Sequence, residues 1–279
     1  MEKIWLEKSY PPGVEFEINP DKYKSLAELF LKYTKLYKDN TAFINMGSSI
    51  TYQELGQQAN DFAAYLQQDL GLVKGDKFAI MIPNLLQYPV ALFGALIAGL
   101  TVVNVNPLYT ARELQHQLKD SGANAILILE NFAHVLATVK DKTDIEHVII
   151  TSVGERLSKV KGAVVNFVLK YIKKQVPAFN LSNTISFNQA MAKGATFTFK
   201  PTEVVGEDLA FLQYTGGTTG PSKGAMLTHR NMVANIEQSN AATKNVYQVG
   251  KEIMVTALPL YHIFALTSNC LCFMPFGGT

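Results

Sequence analysis

A segment rich in glycine and threonine contains the clearest candidate chemistry in this sequence. Thr215 to Gly224 holds four glycines and three threonines in ten residues, with Lys223 near its end. Glycines let a backbone turn tightly and present its N–H groups without side-chain obstruction. Threonine hydroxyls can donate to phosphate oxygens or ligate Mg²⁺, and a lysine adds positive charge. We therefore predict that this segment cradles a polyphosphate.

The spacing within this segment separates it from two common nucleotide-binding motifs. A Walker A loop has glycine directly before its lysine, whereas Ser222 precedes Lys223 here. No Gly-x-Gly-x-x-Gly opens a helix after the first predicted strand, so a Rossmann fingerprint is missing as well. The segment therefore represents a different kind of phosphate-binding loop.

A histidine near the end of the sequence is the second candidate. His262 follows Pro259, Leu260 and Tyr261 after a strand-like apolar run, and it is either a site residue or a satisfied core histidine. The other four histidines are scattered, and Cys270 and Cys272 stand one residue apart. That pattern indicates neither a metal cluster nor a disulfide framework, and it fits a reducing cytoplasm.

The overall charge argues against a nucleic-acid partner. Lysine and arginine number 25 against 23 acidic residues, which leaves a net charge of only +2. The hydrophobic fraction of 48% is typical of a globular protein with a buried core. The N-terminus carries acidic residues where a secretory signal needs a basic start and an apolar run, so we expect a cytoplasmic protein.

Alternating patterns around these candidates predict a doubly wound α/β fold, with a mostly parallel sheet and helices on both faces. Predicted strands lie at 78–82, 101–105, 124–129, 147–151 and 209–214, with helices at 86–99, 111–120 and 131–141. Helix starts are marked by the capping boxes Ser25–Glu28, Thr51–Glu54 and Thr110–Glu113, and Thr228 caps a further helix. The phosphate loop would thus leave the end of a buried strand.

A long uncharged stretch between Lys77 and Arg112 resembles a membrane span only superficially. Prolines and asparagines interrupt it and leave residues 90–103 as its longest apolar piece. Fourteen residues cover roughly 21 Å as a helix, less than the ~30 Å of a bilayer core. We therefore predict a buried helix that leads into a buried strand.

A basic segment follows these elements. Residues 155–174 carry six bases and one acid, a net +5 that leaves −3 on the rest of the chain. A helix beginning near Ala163 would place Asn166, Lys170, Lys173 and Lys174 on one face and a broad apolar remainder elsewhere. Two interpretations stay open: a surface helix docked on its own domain, or an interfacial helix lying on anionic lipid over residues 155–176.

The glycine-rich loop and four other stretches resemble a known family. The run from Tyr214 to Gly224 resembles the signature loop of the adenylate-forming enzymes, which include acyl-CoA synthetases, luciferases and peptide-synthetase adenylation domains. Further matches resemble the bacterial long-chain fatty acyl-CoA synthetases within that superfamily: Pro83-Asn84, Asn104 to Leu114, Gln117 to Gly122, and Pro259 to Leu266.

The resemblance implies a two-step ligase reaction. A fatty acid carboxylate would attack the α-phosphate of ATP, giving acyl-adenylate and pyrophosphate, and the thiol of coenzyme A would then displace AMP. Mg²⁺ would accompany the nucleotide. An aryl or medium-chain synthetase and a non-catalytic nucleotide- or lipid-binding module are the alternatives.

The resemblance also implies roles for individual residues. Tyr214 would flank the nucleotide, Thr215 would help to hold Mg²⁺, Lys223 would neutralise phosphate charge, and His262 would lie near the carboxylate and α-phosphate. The β- and γ-phosphates would be wrapped by Thr215, Gly216, Gly217, Thr218, Thr219, Gly220, Pro221, Ser222, Lys223 and Gly224. Phe264 and Leu266 would begin the wall of an acyl channel that continues toward Phe273.

Several parts of the family pattern are expected beyond Thr279: the acidic Mg²⁺ ligand, the ribose-binding aspartate and the catalytic lysine. We therefore expect residues 1–279 to be an N-terminal part of the large domain and inactive alone. Residues 75–231 would form one α/β subdomain, and residues 20–72 with 232–279 would contribute to a second. Peripheral contact with the inner face of the cell membrane and a homodimer complete the expectations.

Overall fold

The computed structural model describes Tyr10, residues 13–215 and residues 221–279. Its strands are β1 (Thr41–Asn45), β2 (Ser48–Thr51), β3 (Lys77–Met81), β4 (Thr101–Asn104), β5 (Ala125–Leu129), β6 (His147–Thr151), β7 (Thr184–Ser186), β8 (Leu209–Thr215) and β9 (Lys223–Thr228). Its helices are α1 (Leu26–Leu36), α2 (Tyr52–Gln68), α3 (Gln87–Ile97), α4 (Ala111–Ser121), α5 (Ala133–Ala137), α6 (Lys159–Phe167), α7 (Phe187–Gly194), α8 (His229–Thr243) and α9 (Ile263–Ala265). A π turn, Val168–Ile172, continues α6, and a π turn followed by a 3₁₀ turn carries α9 on to Phe276.

A seven-stranded sheet organises the molecule. Its order is β7-β6-β5-β3-β4-β8-β9; all neighbours are parallel except β9, which pairs antiparallel with β8. β1 and β2 form a separate two-stranded hairpin. The predicted mostly parallel α/β architecture is confirmed.

Helices cover both faces of this sheet, as a doubly wound fold requires. One core layer joins α2, α3 and α7 to sheet residues such as Phe78 and Phe211. The other joins α4 and α5 to sheet residues such as Met81 and Ile126. Strands buried on both faces are near-continuously apolar, which is why Ala-Ile-Leu-Ile-Leu of β5 carries no alternation.

The uncharged stretch after Lys77 is buried in the protein. Every residue of α3 and β4 is buried, as predicted. Within the described parts of the chain, no helix is both long and apolar enough to span a bilayer. The apolar run therefore reflects the centre of a two-layered core.

Helix starts follow the predicted caps with one difference. Thr51 with Glu54 and Thr110 with Glu113 form complete capping boxes. Ser25 caps α1 by accepting from Glu28 N, but the Glu28 carboxylate accepts from Lys24 N rather than from Ser25 N. The first box is therefore only half formed.

The helix predicted over 131–141 is wrong in its extent. The structure divides this stretch into a 3₁₀ turn Glu130–Phe132, the five-residue α5 and a second 3₁₀ turn Lys140–Lys142. The Thr138 hydroxyl donates to Val135 O at 2.8 Å and competes with the backbone for that carbonyl. Short polar side chains of this kind favour helix ends over continuous helix.

The basic segment also differs from its prediction. α6 begins at Lys159, four residues before the expected start, and the π turn changes its angular register after Phe167. Asn166 faces the protein, where its Oδ1 accepts from Gly154 N at 2.8 Å, whereas Lys170, Lys173 and Lys174 are exposed. The predicted single face shared by Asn166 and the lysines is therefore wrong.

An extended segment, residues 252–256, lies opposite the β1–β2 hairpin. Its backbone exchanges hydrogen bonds with Thr279: Thr279 N donates to Glu252 O, and Met254 N donates to Thr279 O, each at 2.8 Å. Ile253 and Val255 are 74% and 80% exposed, and together with Met254 and Thr256 they line a cavity of about 360 Å³. The segment therefore forms one wall of that cavity while keeping two large apolar side chains in contact with solvent.

Candidate active site at the carboxyl ends of the strands

Polar side chains at the ends of β4 and β8 form a buried network. Asn104 Nδ2 donates to Gln213 Oε1 at 3.2 Å, and Gln213 Nε2 donates to Tyr261 O at 3.1 Å. The Tyr88 hydroxyl of α3 lies 2.7 Å from Asn104 Oδ1 and 2.8 Å from Leu260 O. Buried polar atoms are costly unless paired, so this network fixes the backbone of residues 260–261 against the sheet.

A second asparagine holds the preceding part of the same loop. Asn84, just after β3, donates through Nδ2 to Thr256 O at 3.0 Å and to Leu258 O at 2.9 Å. Its Oδ1 accepts from Leu260 N at 2.8 Å. Residues 256–262 are therefore held by Asn84 after β3, Tyr88 of α3 and Gln213 of β8, and that loop places His262.

The location of these strand ends explains why a site forms there. β4 and β8 are neighbours in the sheet, but the chain leaves β4 toward β5 and leaves β8 toward β9, in opposite directions along the sheet. Such a switch point leaves a crevice outside the carboxyl ends of the strands, where open α/β sheets bind ligands.

A pocket of about 480 Å³ fills this crevice. Thr215, His262 and Phe264 all line it. The remaining lining residues are Asn104, Asn106, Tyr109, Gln213, Tyr214, Leu258, Pro259, Tyr261, Ile263 and Ala265. The pocket brings the beginning of the glycine-rich loop together with the candidate histidine, although 47 residues separate Thr215 from His262 in the chain.

The described ends of the glycine-rich segment lie on the paired strands β8 and β9. Tyr214 pairs with Gly224 and Thr215 with Lys223 across this hairpin. A side chain at Gly224 would have its Cβ 3.0 Å from the Tyr214 ring, so glycine lets the ring lie across the facing strand. Tyr214 and Thr215, at the end of β8, line the pocket.

Two side chains of α4, one helical turn apart, contact the two arms of this hairpin. Asp120 Oδ2 accepts from the Tyr214 hydroxyl at 2.6 Å. His116 Nε2 lies 2.8 Å from Ser222 O; because a carbonyl only accepts, this nitrogen carries the hydrogen. The two contacts lie on either side of residues 216–220 in the sequence, and they attach both Tyr214 and Ser222 to α4.

Burial, together with the hydrogen bond to Asp120, raises the pKa of Tyr214 above its ordinary value. The phenol therefore stays protonated at neutral pH and keeps donating to the carboxylate. Its role at the site is positional and apolar: the ring lines the pocket while the hydroxyl is tied to α4.

The remaining predicted residues have different surroundings. Lys223 and Pro221 are exposed, and Ser222 and Gly224 are half-buried. Leu266 is fully buried in the core and does not line the pocket, whereas Phe264 is 70% exposed at the pocket wall. Gly216, Gly217, Thr218, Thr219 and Gly220 lie outside the described residues.

Sequence reasoning missed the supporting residues of the site. Tyr88, Asn104 and Gln213 had no assigned role, and neither did His116 and Asp120 of α4. The available signal was a polar residue at the end of an apolar strand, which is costly to bury without a purpose. Asn84 and Asn104 both follow that rule.

Comparison with known proteins identifies the family of this chain. Residues 30–279 match the AMP-binding enzyme family. Since this match covers most of the chain, the chain belongs to that family.

The similar proteins narrow the relationship. A long-chain-fatty-acid–CoA ligase of Escherichia coli O6:H1 is 60% identical over 278 residues, which is 100% of this chain and 49% of that protein. The crystal structure of a long-chain-fatty-acid-CoA ligase from Archaeoglobus fulgidus superposes with a TM-score of 0.74 at 23% identity, over 97% of this chain and 48% of that one. An anthranilate CoA ligase in complex with anthranoyl-AMP gives 0.73 at 16% identity, over 94% and 46%.

The chain thus spans about half the length of the curated relatives it matches. The two structures have nearly equal TM-scores, so the fold is shared by ligases named for a fatty acid and for an aromatic acid. The fold by itself does not select between these acids.

Proposed function

We propose that the complete protein containing these residues is a long-chain fatty acid–CoA ligase, which adenylates a fatty acid with ATP and then transfers the acyl group to coenzyme A. One observation carries the proposal: the phosphate-loop residue Thr215, the imidazole of His262 and the apolar ring of Phe264 line one pocket. A carboxylate bound there would have phosphate-binding groups on one side and an apolar wall on another. The relatives at 60% identity are named for this activity.

In this proposal, each residue of the site has its own role. Lys223 and the loop from Thr215 to Gly224 bind the β- and γ-phosphates, and Tyr214 flanks the nucleotide. His262 lies beside the carboxylate and α-phosphate, where a charge-stabilising donor lowers the barrier to attack. AMP and pyrophosphate leave as separate products, and coenzyme A accepts the acyl group.

Mg²⁺ enters this proposal together with ATP. Among the described residues, no cluster of three histidine, cysteine, aspartate or glutamate side chains could hold a metal. Magnesium is commonly bound through one or two protein oxygens plus substrate phosphates, and the exposed Thr215 side chain beside the pocket supplies one such oxygen. When bound, the ion would neutralise phosphate charge.

Long-chain acids are the proposed substrates because the chain that follows His262 is uncharged. Residues 263–276 carry no charged side chain, and Cys270, Phe273 and Met274 of this stretch line the mostly apolar cavity of about 360 Å³. Transfer of ~14 methylenes from water at ~0.8 kcal/mol each makes about 11 kcal/mol available, so chain length would dominate selectivity.

Pyrophosphate exchange by the complete protein, across acids from acetate to palmitate and with benzoate, tests this function. We expect exchange to rise with chain length and to need ATP and Mg²⁺. Equal turnover of acetate, benzoate and palmitate would contradict the long-chain assignment. Exchange with benzoate alone would favour the aryl synthetase, and no exchange with any acid would favour a binding module.

Residues 1–279 offer a direct companion experiment. We expect the purified fragment to make no acyl-AMP, because the acidic Mg²⁺ ligand, ribose-binding aspartate and catalytic lysine are expected outside it. Acyl-AMP formed by the fragment would overturn that assignment. The subdomain limits 75–231, 20–72 and 232–279 and the homodimer stay predictions, which limited proteolysis and sedimentation velocity of the complete protein test.

Peripheral association with the inner face of the cell membrane is also proposed, because a long-chain fatty acid partitions into lipid. Residues 155–176 supply the basic charge. Juxtamembrane lysines contribute roughly 1 kcal/mol each near an anionic surface, and salt weakens the attraction. This supports reversible binding without insertion of a spanning helix.

A further inference from the structure

The outer surface of α6 and its π turn is apolar, and the described residues leave it uncovered. Val160, Val164, Phe167, Tyr171 and Ile172, here called the α6 apolar face, are between 56% and 78% exposed. The rings of Phe167 and Tyr171 contact each other, with centroids 5.2 Å apart. A contiguous exposed apolar patch on a surface helix is a marker of an interaction site.

α6 docks on the protein by contacts that leave its apolar side chains free. Gly162 is the one buried residue of α6, and its backbone packs directly on Gly154: a Cβ added at Gly162 would lie 2.3 Å from Gly154 O. Asn166 completes the docking, accepting from Gly154 N at 2.8 Å and donating to Ser152 Oγ at 2.9 Å. A helix held by glycines and an amide turns its apolar side outward.

Cations surround the α6 apolar face. Lys159, Lys161, Lys170, Lys173 and Lys174 are all exposed. None of the five lies within ion-pair distance of a carboxylate in the described parts of the chain. Glu155 and Arg156 point inward instead, since Glu155 accepts from Thr151 and Asn188 while Arg156 contacts Gln58. The local charge at the surface is therefore carried by lysines alone.

The tip of the β1–β2 hairpin extends this surface. Lys161 Nζ donates to Met46 O, so the tip lies beside α6. Met46 and Gly47 both have positive φ, +49° and +72°, as a type I′ turn requires. Asparagine, aspartate or glycine is usual at the first position of that turn, yet here it holds a methionine that is 44% exposed.

We infer that the α6 apolar face, with Met46 at its side, inserts shallowly into an anionic lipid surface while the surrounding lysines bind the headgroups. An apolar strip flanked by lysines is the arrangement by which amphipathic helices lie in a membrane interface. The inference rests on the proposed peripheral association and deepens it by naming the inserting residues. Insertion differs from charge attraction alone in one measurable respect: it adds an apolar contribution to the binding free energy, which salt does not remove.

Matched variants of the complete protein separate insertion from charge attraction. One variant replaces Val164, Phe167 and Tyr171 by serine at constant charge, and a second replaces Lys170, Lys173 and Lys174 by glutamate. The control replaces Leu36 and Val73, which are 59% and 64% exposed elsewhere on the surface, by serine. Co-sedimentation with vesicles of mixed anionic and zwitterionic phospholipid is measured at low and high salt.

We expect the serine variant to bind at least roughly tenfold more weakly at both salt concentrations, and the control to bind as the parent does. If only the glutamate variant loses binding, insertion is wrong and charge attraction stands. Unchanged binding of both test variants would contradict the peripheral association itself.

A fluorescence measurement tests whether another part of the complete protein covers this face. Phe167→Trp adds a reporter, and the parent protein supplies the background from its own tryptophans, Trp5 among them. We expect acrylamide to quench this reporter without vesicles and brominated lipid to quench it with them. Protection from acrylamide without vesicles would show that protein covers the face and would overturn the inference.

Discussion

The two ends of the seven-stranded sheet, one near β4 and β8 and the other at β6 and β7, differ in which side chains they bury. On the side of β4 and β8, Asn104 and Gln213 are buried, at 3% and 5% exposure, and each is hydrogen-bonded. On the side of β6 and β7, Phe167 and Val164 are more than half exposed. Buried polar side chains and exposed large apolar side chains are both unusual in a folded protein, so each region calls for an explanation.

The difference matches the two roles proposed for these regions. Paired polar groups on the β4–β8 side hold backbone and side chains in fixed positions, as a reaction with charged intermediates requires. The β6–β7 side needs only an accessible surface, so a glycine contact and one asparagine suffice to dock α6. Perturbing each side should therefore change a different measurement.

The largest effect is expected on the β8–β9 hairpin. Lys223→Ala or Thr215→Ala in the complete protein should slow adenylate formation about a hundredfold, since losing one such contact costs ~3 kcal/mol as phosphate charge is redistributed. Fatty acid binding should change little. Single-turnover acyl-AMP formation and fatty acid titration measure the two quantities, with Lys251→Ala as the control. An equal loss in both quantities would contradict a role confined to the phosphates.

The second prediction concerns a buried imidazole. His229 Nδ1 accepts from Leu26 N at 3.1 Å, and burial lowers the pKa of His229 from 6.5 to about 4. The unfolded chain binds this proton near pH 6.5, so the stabilisation is complete above that pH and is lost as pH falls toward 4. The contribution is about 3 kcal/mol.

Unfolding by denaturant between pH 7 and pH 4 measures this contribution. The parent should lose about 3 kcal/mol more than His229→Gln over that range, because glutamine accepts from Leu26 N without titrating. Equal losses in the two proteins would show that the imidazole does not titrate with folding.

The third prediction concerns the packing of α6 on the protein. Gly162→Leu cannot be accommodated against Gly154 O and should cost about 2 kcal/mol of local stability, whereas Ala163→Leu on the exposed side serves as the matched control. Hydrogen exchange of residues 159–172 should rise only in the first variant. The rate of adenylate formation should stay at the parent value in both variants, since α6 lies apart from the pocket. Slower adenylation by Gly162→Leu would contradict the division between the two sides.

The smallest effect is expected at α4. His116→Ala or Asp120→Asn should raise the KM for ATP roughly fivefold, because each removes or weakens a hydrogen bond worth about 1 kcal/mol at the base of the hairpin. The KM for fatty acid should be unchanged, and Asp120→Glu should restore part of the ATP affinity. Lys119→Ala is the neighbouring control. A parallel change in both KM values would indicate a general structural role.

The sequence predicted the architecture well because its signals are local. Strands buried on both faces and the complete capping boxes at Thr51 and Thr110 can each be recognised from a few consecutive residues. Thr215 and His262 each stand in a short motif, and the structure places both at one pocket. The supporting contacts were missed because Asn84 and Gln213 meet the 256–262 loop only through contacts between residues far apart in the chain.

The α6 prediction failed for a related reason. Helical periodicity assigns faces from spacing alone, and a π turn shifts that spacing by a residue. The close approach of Gly162 to Gly154 turns the Asn166 amide toward the protein and away from the lysines, with which it was predicted to share a face. Backbone contacts between glycines leave no hydrophobic pattern to read.

The extended segment 252–256 has a practical consequence for handling the 279-residue chain. Ile253 and Val255 are largely exposed although both line the cavity of about 360 Å³, and an exposed apolar extended segment is a template for pairing with another copy. We therefore expect concentrated samples of this chain to self-associate through that segment. Ile253→Lys or Val255→Lys would act as a gatekeeper against this association, and neither residue lines the pocket at the end of β8.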